Sequence, residues 1–276
     1  MPEQPNPVID HVGEYYDDIG DLVEIVGGNL HVGYWESDAD ETPFLQAMNR
    51  LTGMMEERLA LRRGQRLLDV GCGVGEPAVR MAQRHDVSVT GITVSHWQVQ
   101  DAAKRVVSAG LRGRVSIEWA DACSLPYRDE TFDAAIAFDS LPNAEDKARW
   151  LSEIFRVLRP GGRFVFSEYP RLAELTPEER EILKGNAIFD PPAALTDVVR
   201  TAEAAGFEVL EGLDCGDRVR RTYVEFFDKL AGQRAELAAV YGGERVDALE
   251  RGIGAVFGLC REKVGYLILT CRKPAG

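Results

Sequence analysis

The residues best suited to chemistry fall in one stretch, Leu67-Leu68-Asp69-Val70-Gly71-Cys72-Gly73-Val74-Gly75-Glu76-Pro77. A short apolar run carrying one acid leads into three glycines at alternate positions and then into residues that can open a helix. Glycine permits positive φ and lets a ligand lie against bare backbone, which nominates Gly71 and Gly73 as ligand contacts. Dinucleotide-binding turns use G-x-G-x-x-G, the last glycine serving helix packing and the pyrophosphate sitting at the helix end. Here the spacing is G-x-G-x-G. Asp69, two residues before the turn, would repel a pyrophosphate and suit an ammonium or sulfonium group, so the turn reads as a nucleoside site for a cationic ligand. The structural alternative is a tight strand-to-helix turn that holds nothing.

The elements that must position this turn follow from the hydropathy pattern. From residue 64 onward, short apolar β-rich runs alternate with helical segments. Strands are expected over Arg66 to Val70, Val87 to Ile92, Val115 to Trp119, Phe132 to Phe138, Arg163 to Glu168, Phe207 to Leu213 and Gly265 to Cys271. Helices are expected near Pro77 to Arg84, Ser95 to Ala109, Ala144 to Leu158 and Ala194 to Ala205. This alternation predicts a doubly wound, Rossmann-like α/β fold with a mostly parallel seven-stranded sheet, which binds ligands beyond the strand ends. The expected organisation is an N-terminal helical cap over 1–63, an α/β core over 64–216, a helical cap insertion over 217–262 and the last strand in 263–276. The insertion carries Tyr223, Phe226, Phe227, Leu230, Leu237, Val240 and Tyr241 at helical spacing, which is a core stripe or a pocket roof.

Composition bounds the partners. The 276-residue chain carries 45 Asp and Glu against 32 Lys and Arg, a formal charge of −13, and such a surface repels phosphate backbones and anionic lipids. Nucleic acid and membrane are therefore not expected. No apolar run approaches the ~20 residues of a membrane helix, and Met1-Pro2-Glu3-Gln4-Pro5-Asn6-Pro7 does not read as a secretory leader. The five cysteines form no CxxC pair and no zinc spacing, which suits a reducing cytoplasm and no metal. The sequence leaves a homo-oligomer open.

The glycine turn resembles the first motif of class I S-adenosylmethionine-dependent methyltransferases, and matching elements follow in order: Ala120-Asp121-Ala122, Phe132-Asp133-Ala134 and Leu158-Arg159-Pro160-Gly161-Gly162. The N-terminal segments Tyr16-Asp17-Asp18 and Asn29-Leu30-His31-Val32-Gly33-Tyr34-Trp35-Glu36 resemble the cap of the natural-product branch, which includes the rebeccamycin sugar O-methyltransferase and, further away, cyclopropane synthases and sterol methyltransferases. The resemblance implies S-adenosyl-L-methionine as cofactor. It implies Asp121 as acceptor for the adenine amino group, with Ala122 and Phe138 among the cofactor contacts, and it sets His31 and Trp35 near the cofactor's carboxylate and sulfonium. The carboxylate that many relatives use to grip the ribose is missing after the second strand, where the sequence is Gly91-Ile92-Thr93-Val94-Ser95-His96-Trp97-Gln98. In the resembling branch Thr93, Ser95 and Gln98 take that role, although Ser95 and Gln98 also have capping-box spacing.

The catalytic question turns on Phe138-Asp139-Ser140-Leu141-Pro142-Asn143. The sugar O-methyltransferase has a histidine pair in this loop, suited to taking a proton from an alcohol, and here Leu141, Pro142 and Asn143 stand instead. Other candidate bases are Glu168, at the end of the fifth strand, Tyr15, Tyr16 and His31. A carboxylate at the mouth of an apolar pocket would have a raised pKa, and a carbon nucleophile loses its proton only after attack. The altered loop thus favours methylation of an electron-rich carbon, indole or prenyl in type, on a small apolar acceptor. O- or N-methylation of a secondary metabolite is the alternative, followed by a pericyclic enzyme on the same fold.

Overall fold

The structure, a computed structural model, describes residues 7–20, 31–186, 188 and 195–275. The motif residues Asn29 and Leu30 lie outside the described residues.

Seven strands form one sheet in the order β3-β2-β1-β4-β5-β7-β6. They are β1 (Arg66–Val70), β2 (Ser88–Thr93), β3 (Val115–Trp119), β4 (Phe132–Ala137), β5 (Leu158–Glu168), β6 (Glu208–Asp214) and β7 (Leu267–Arg272). The first five pair in parallel, while β7 inserts antiparallel between β5 and β6. Strand order reverses at β1, and the glycine turn follows it, at the switch point where such sheets open a crevice.

The consecutive apolar residues of the strands are explained by cover on both faces. Leu67, Val89, Ala134, Ile136, Val165 and Ile268 share one core with α2 (Phe44–Leu59) and α3 (Glu76–His85). Their alternates Leu68, Val70, Ala135, Ala137, Phe164 and Phe166 share the other with α5 (Lys147–Val157) and α7 (Leu195–Ala204), as the period of two requires. The cap expected over 1–63 is therefore not uniform. Helix α1 (Pro7–Asp18) packs on α4 (His96–Ser108), whereas α2 buries Leu51, Met55 and Leu59 on the sheet itself. The buried Glu56 carboxylate fastens α2 to α3 by accepting from Arg80 Nε at 3.1 Å, Arg84 Nε at 2.9 Å and His85. His85 is held at the end of α3 by that partner.

The region after β6 contains the short α8 (Gly216–Val219) and two long helices, α9 (Thr222–Tyr241) and α10 (Gly243–Glu262), joined at Gly242 with φ 84. Leu230, Leu237 and Val246 form their own small core. Helix α6 (Pro177–Gly185) was not expected from periodicity. No helix among the described residues is long and apolar enough to cross a membrane.

Candidate active site

A cavity of about 990 Å³ opens where the glycine turn, the strand ends and the two sets of outer helices meet. Helix α1 roofs it with Val12, Tyr15 and Tyr16; α9 and α10 close the far side with Tyr223, Phe226, Ile253, Val256, Phe257 and Cys260.

The turn after β1 has positive φ at Gly71 (72°), Gly73 (54°) and Gly75 (77°). The amides of Gly71 and Cys72 both donate to the Ile92 carbonyl, at 2.8 and 2.9 Å, which ties the turn to β2. A side chain at Gly71 would strike Ser140 Cβ at 2.2 Å, whereas one at Gly73 would meet nothing within 4 Å, so bare backbone faces the cavity there. Cys72 packs against Gly91 as a buried small residue. Asp69 is 1 % exposed, and its Oδ2 has no hydrogen-bond partner among the described residues. Burial, with the nearby Glu76 charge, pushes its pKa up to about 7.

Thr93, Gln98, Asp121, Ala122 and Phe138 also line the cavity. The Thr93 hydroxyl donates to Gln98 Oε1 at 2.6 Å and accepts from the Ser95 amide at 3.2 Å. Asp121 Oδ1 accepts from the Cys123 amide at 2.7 Å, fixing the turn after β3. The structure thus brings Asp69, Gly71, Gly73, Thr93, Gln98, Asp121, Ala122, Phe138, Tyr16 and His31 to one cavity.

Three of the nominated residues lie elsewhere. Ser95 is fully buried as the N-cap of α4; its Oγ accepts from the Gln98 amide at 3.0 Å and donates to Asp17 Oδ1 at 2.5 Å. That capping role displaces the ribose role for Ser95. Trp35 is 2 % exposed, with its indole stacked on Phe44 and donating to the Thr42 carbonyl at 2.8 Å, so it is a core residue and not a sulfonium contact. Glu168 does not serve as a base at the cavity either. Along β5 the side chains alternate, so that Ser167 and Tyr169 reach the cavity side while Glu168 turns toward α5, 1 % exposed. There Oε2 accepts from Lys147 Nζ at 2.9 Å and Oε1 from the Tyr169 amide at 2.8 Å. Trp97 is also absent from the lining; its ring covers Gly20.

His31 reaches the cavity but has both ring nitrogens engaged. Nδ1 lies 2.9 Å from the Val32 carbonyl and Nε2 3.1 Å from the Thr52 hydroxyl, while the ring stacks on Phe138 with centroids 4.1 Å apart. Burial lowers its pKa to about 4, so the ring is neutral and committed to structure. Tyr16 donates to Asn143 Oδ1 at 3.2 Å, and burial holds its phenol protonated far above the usual range. It can donate to a ligand but is a poor base.

Asp139 stands in the loop after β4. It lines the cavity with a left-handed backbone, φ 55, a conformation that Asp tolerates better than most residues. Oδ1 accepts from Ser167 Oγ and from the Tyr266 hydroxyl, each at 2.6 Å. Oδ2 accepts a longer contact, 3.4 Å, from the Val32 amide.

Residues 68–166 match the family model described as a methyltransferase domain. The chain is 36% identical to 27-O-demethylrifamycin SV methyltransferase of Amycolatopsis mediterranei, covering 97% of this chain and 98% of that protein. It is 31% identical to (+)-O-methylkolavelool synthase of Herpetosiphon aurantiacus, covering 99% and 97%. The chain belongs to the S-adenosylmethionine-dependent methyltransferase family. Among solved structures, the [4+2]-cyclase SpnF matches this methyltransferase with a TM-score of 0.86 at 37% identity, over 99% of each chain. The residues present fit S-adenosylmethionine: an orphaned buried carboxylate oxygen at Asp69 calls for a cationic partner, and Gly73 leaves room for a ligand against the backbone.

Proposed function

We propose that this methyltransferase transfers a methyl group to a hydroxyl oxygen of an uncharged, lipophilic secondary metabolite. The observation that carries the reading is the continuity of one cavity from the polar glycine turn to an apolar wall built by α9 and α10. On that wall Phe257 is packed by Tyr223, Phe226 and Phe227, with ring centroids 5.0 to 5.4 Å away. Such a surface gains by burying apolar area.

Among the described lining residues, the guanidinium of Arg149 is the one cationic side chain, and its Nε donates to the Cys123 carbonyl at 2.7 Å on the Asp121 side. Among the described residues nothing cationic lines the apolar wall, so a phosphorylated or carboxylate-bearing acceptor gains no partner from them. Oxygen replaces the carbon acceptor favoured by the altered loop, because the two relatives' names specify O-methyl products.

S-adenosylmethionine, when bound, supplies a methyl group already activated on a cationic sulfur. Asp69, Gly71, Gly73, Thr93, Gln98, Asp121, Ala122 and Phe138 are the residues assigned to hold it. The chain's remaining work is alignment and exclusion of water. Helix α1 supplies the roof, and the α9–α10 wall sets how the acceptor lies against the cofactor pocket.

The test is incubation of the purified protein with methyl-labelled S-adenosylmethionine and a panel of lipophilic alcohols, 27-O-demethylrifamycin SV among them. The expected result is S-adenosylhomocysteine in step with a product bearing one labelled methoxy group by mass and carbon NMR. A labelled carbon–methyl bond would reject oxygen. An isomer of unchanged mass, without S-adenosylhomocysteine, would assign the cavity to cyclisation.

A further inference from the structure

Methylation of a hydroxyl calls for a base, yet the loop after β4 has no histidine, Glu168 is turned away and His31 is fully engaged. We propose that Asp139 is the catalytic base of this methyltransferase, held for that task by the hydroxyls of Tyr266 and Ser167. The inference rests on O-methylation as the reaction.

Asp139 follows β4 and stands beside Ser140, whose Oγ donates to the Val70 carbonyl at 2.5 Å, so the carboxylate borders the glycine turn and the apolar wall alike. Two short hydroxyl bonds occupy Oδ1, the Val32 amide reaches Oδ2 only at 3.4 Å, and the Tyr169 hydroxyl is a further donor to the carboxylate. The Asp139 amide in turn donates to Ser167 Oγ at 2.7 Å, closing a small ring that locks the carboxylate plane. Tyr266 is wholly buried beside β7, and its hydroxyl donates to Asp139 Oδ1.

The phenols and the thiol around Asp139 are poorer proton acceptors than its carboxylate. Tyr16 on α1, Tyr169 after β5, Tyr223 on α9 and Tyr266 are all held protonated far above the usual phenol range by burial, and the Cys215 thiol is pushed up to about 12. Burial also raises Asp139 above the ordinary carboxylate range, against the hydroxyl donors that favour its charge, which brings it nearer the range where a base is effective. In the step itself the acceptor O–H bond breaks toward Oδ2 as its oxygen bonds the methyl carbon. The sulfur–carbon electron pair stays on sulfur, and the proton leaves Asp139 for solvent after product departs.

The test uses D139N and Y266F. Asparagine tolerates the positive φ and still accepts from both hydroxyls. Calorimetry with S-adenosylhomocysteine should show unchanged affinity for D139N, while turnover of whichever panel alcohol the wild type methylates falls by about 100-fold or more. Without any acceptor, carboxyl carbon NMR should show one aspartate resonance, missing in D139N, that titrates above the usual range. Y266F removes a donor to the ionised form, so it should raise that titration and move the acid limb of kcat/KM to higher pH by the same amount. Asp69 also titrates from the cavity, but a shift that follows Tyr266 belongs to Asp139. D139N turning over at more than about a tenth of the wild-type rate overturns the assignment, as does loss of turnover together with S-adenosylhomocysteine binding, or an acid limb that Y266F leaves in place. A wild type that methylates no hydroxyl overturns the O-methylation reading instead, whatever the carboxyl titration.

Discussion

Asp69 carries a conflict that only a ligand resolves. Its carboxylate is buried, Oδ2 is unpartnered, and its pKa stands at about 7. A cationic ligand stabilises the ionised form, so S-adenosylmethionine affinity should rise with pH through about 7 and level off above it. A charge-assisted bond is worth about 1.5–3 kcal/mol, so Asp69→Asn should weaken S-adenosylmethionine at least ~10-fold and flatten that pH dependence. Calorimetry at several pH values checks both, and an unchanged affinity would mean the cation lies elsewhere. This residue was legible in the sequence because its evidence is local: an acid two positions ahead of a glycine turn. Asp139 was not, since its meaning comes from Ser167 on β5 and Tyr266 beside β7, the latter 127 residues away. Glu168 misled for the complementary reason. A strand end shows which residues are near a site, but the face each one takes depends on register.

The central strands were readable because both-face burial leaves unbroken apolar runs, and β1 falls where expected; the largely exposed edge strand β3 also falls where expected, without such a run. Helix α6 was missed although Thr176 and Glu179 form a complete capping box with proline in the first turn, because its single buried side chain, Leu183, gives no apolar stripe. The roof was legible as a segment, but its attachment was not. Asp17 of α1 reaches across to α4, accepting from Ser95 Oγ at 2.5 Å and the Trp97 amide at 3.0 Å, and so caps a helix 78 residues away. Gly13 permits this approach, since a side chain there would meet the Val94 carbonyl oxygen at 2.7 Å. Loss of a cap costs about 1 kcal/mol, little for the core but enough to loosen a helix with few other anchors. Asp17→Ala should therefore release S-adenosylhomocysteine roughly 5-fold faster and expose α1 to protease first, with the melting temperature almost unmoved. A global drop in melting temperature would show that α1 is integral to the core.

Two buried groups with opposed shifts, His31 and Asp69, contribute to the pH dependence of stability. His31 has a folded pKa of about 4 against an ordinary 6.5, so the stability it lends as a neutral ring is present above 6.5 and is lost as pH falls toward 4. Asp69 works on the other side: its folded value of about 7 lies above the ordinary 3.8, so its contribution is present below 3.8 and is lost as pH rises through 7. Between about 4 and 6.5 the two dependences run in opposite directions and cancel, so the melting temperature of the ligand-free protein should be nearly flat there and fall between 6.5 and 7, where Asp69 alone ionises. S-adenosylmethionine supplies the missing cation at Asp69 and leaves His31 unaffected, so saturation should lift the alkaline side of the profile more than the acid side. At a hundred times Kd, ligand binding adds about 2.7 kcal/mol, which for a chain of this size is about 5–10 °C. Because the cavity is walled by α1, the glycine turn and the α9–α10 pair, one cooperative transition should shift as a whole. Scanning calorimetry from pH 5 to 9, with and without S-adenosylmethionine, tests this. An upward shift of equal size at every pH would separate ligand binding from Asp69 ionisation, and a transition that splits in two would mean that roof and sheet melt independently.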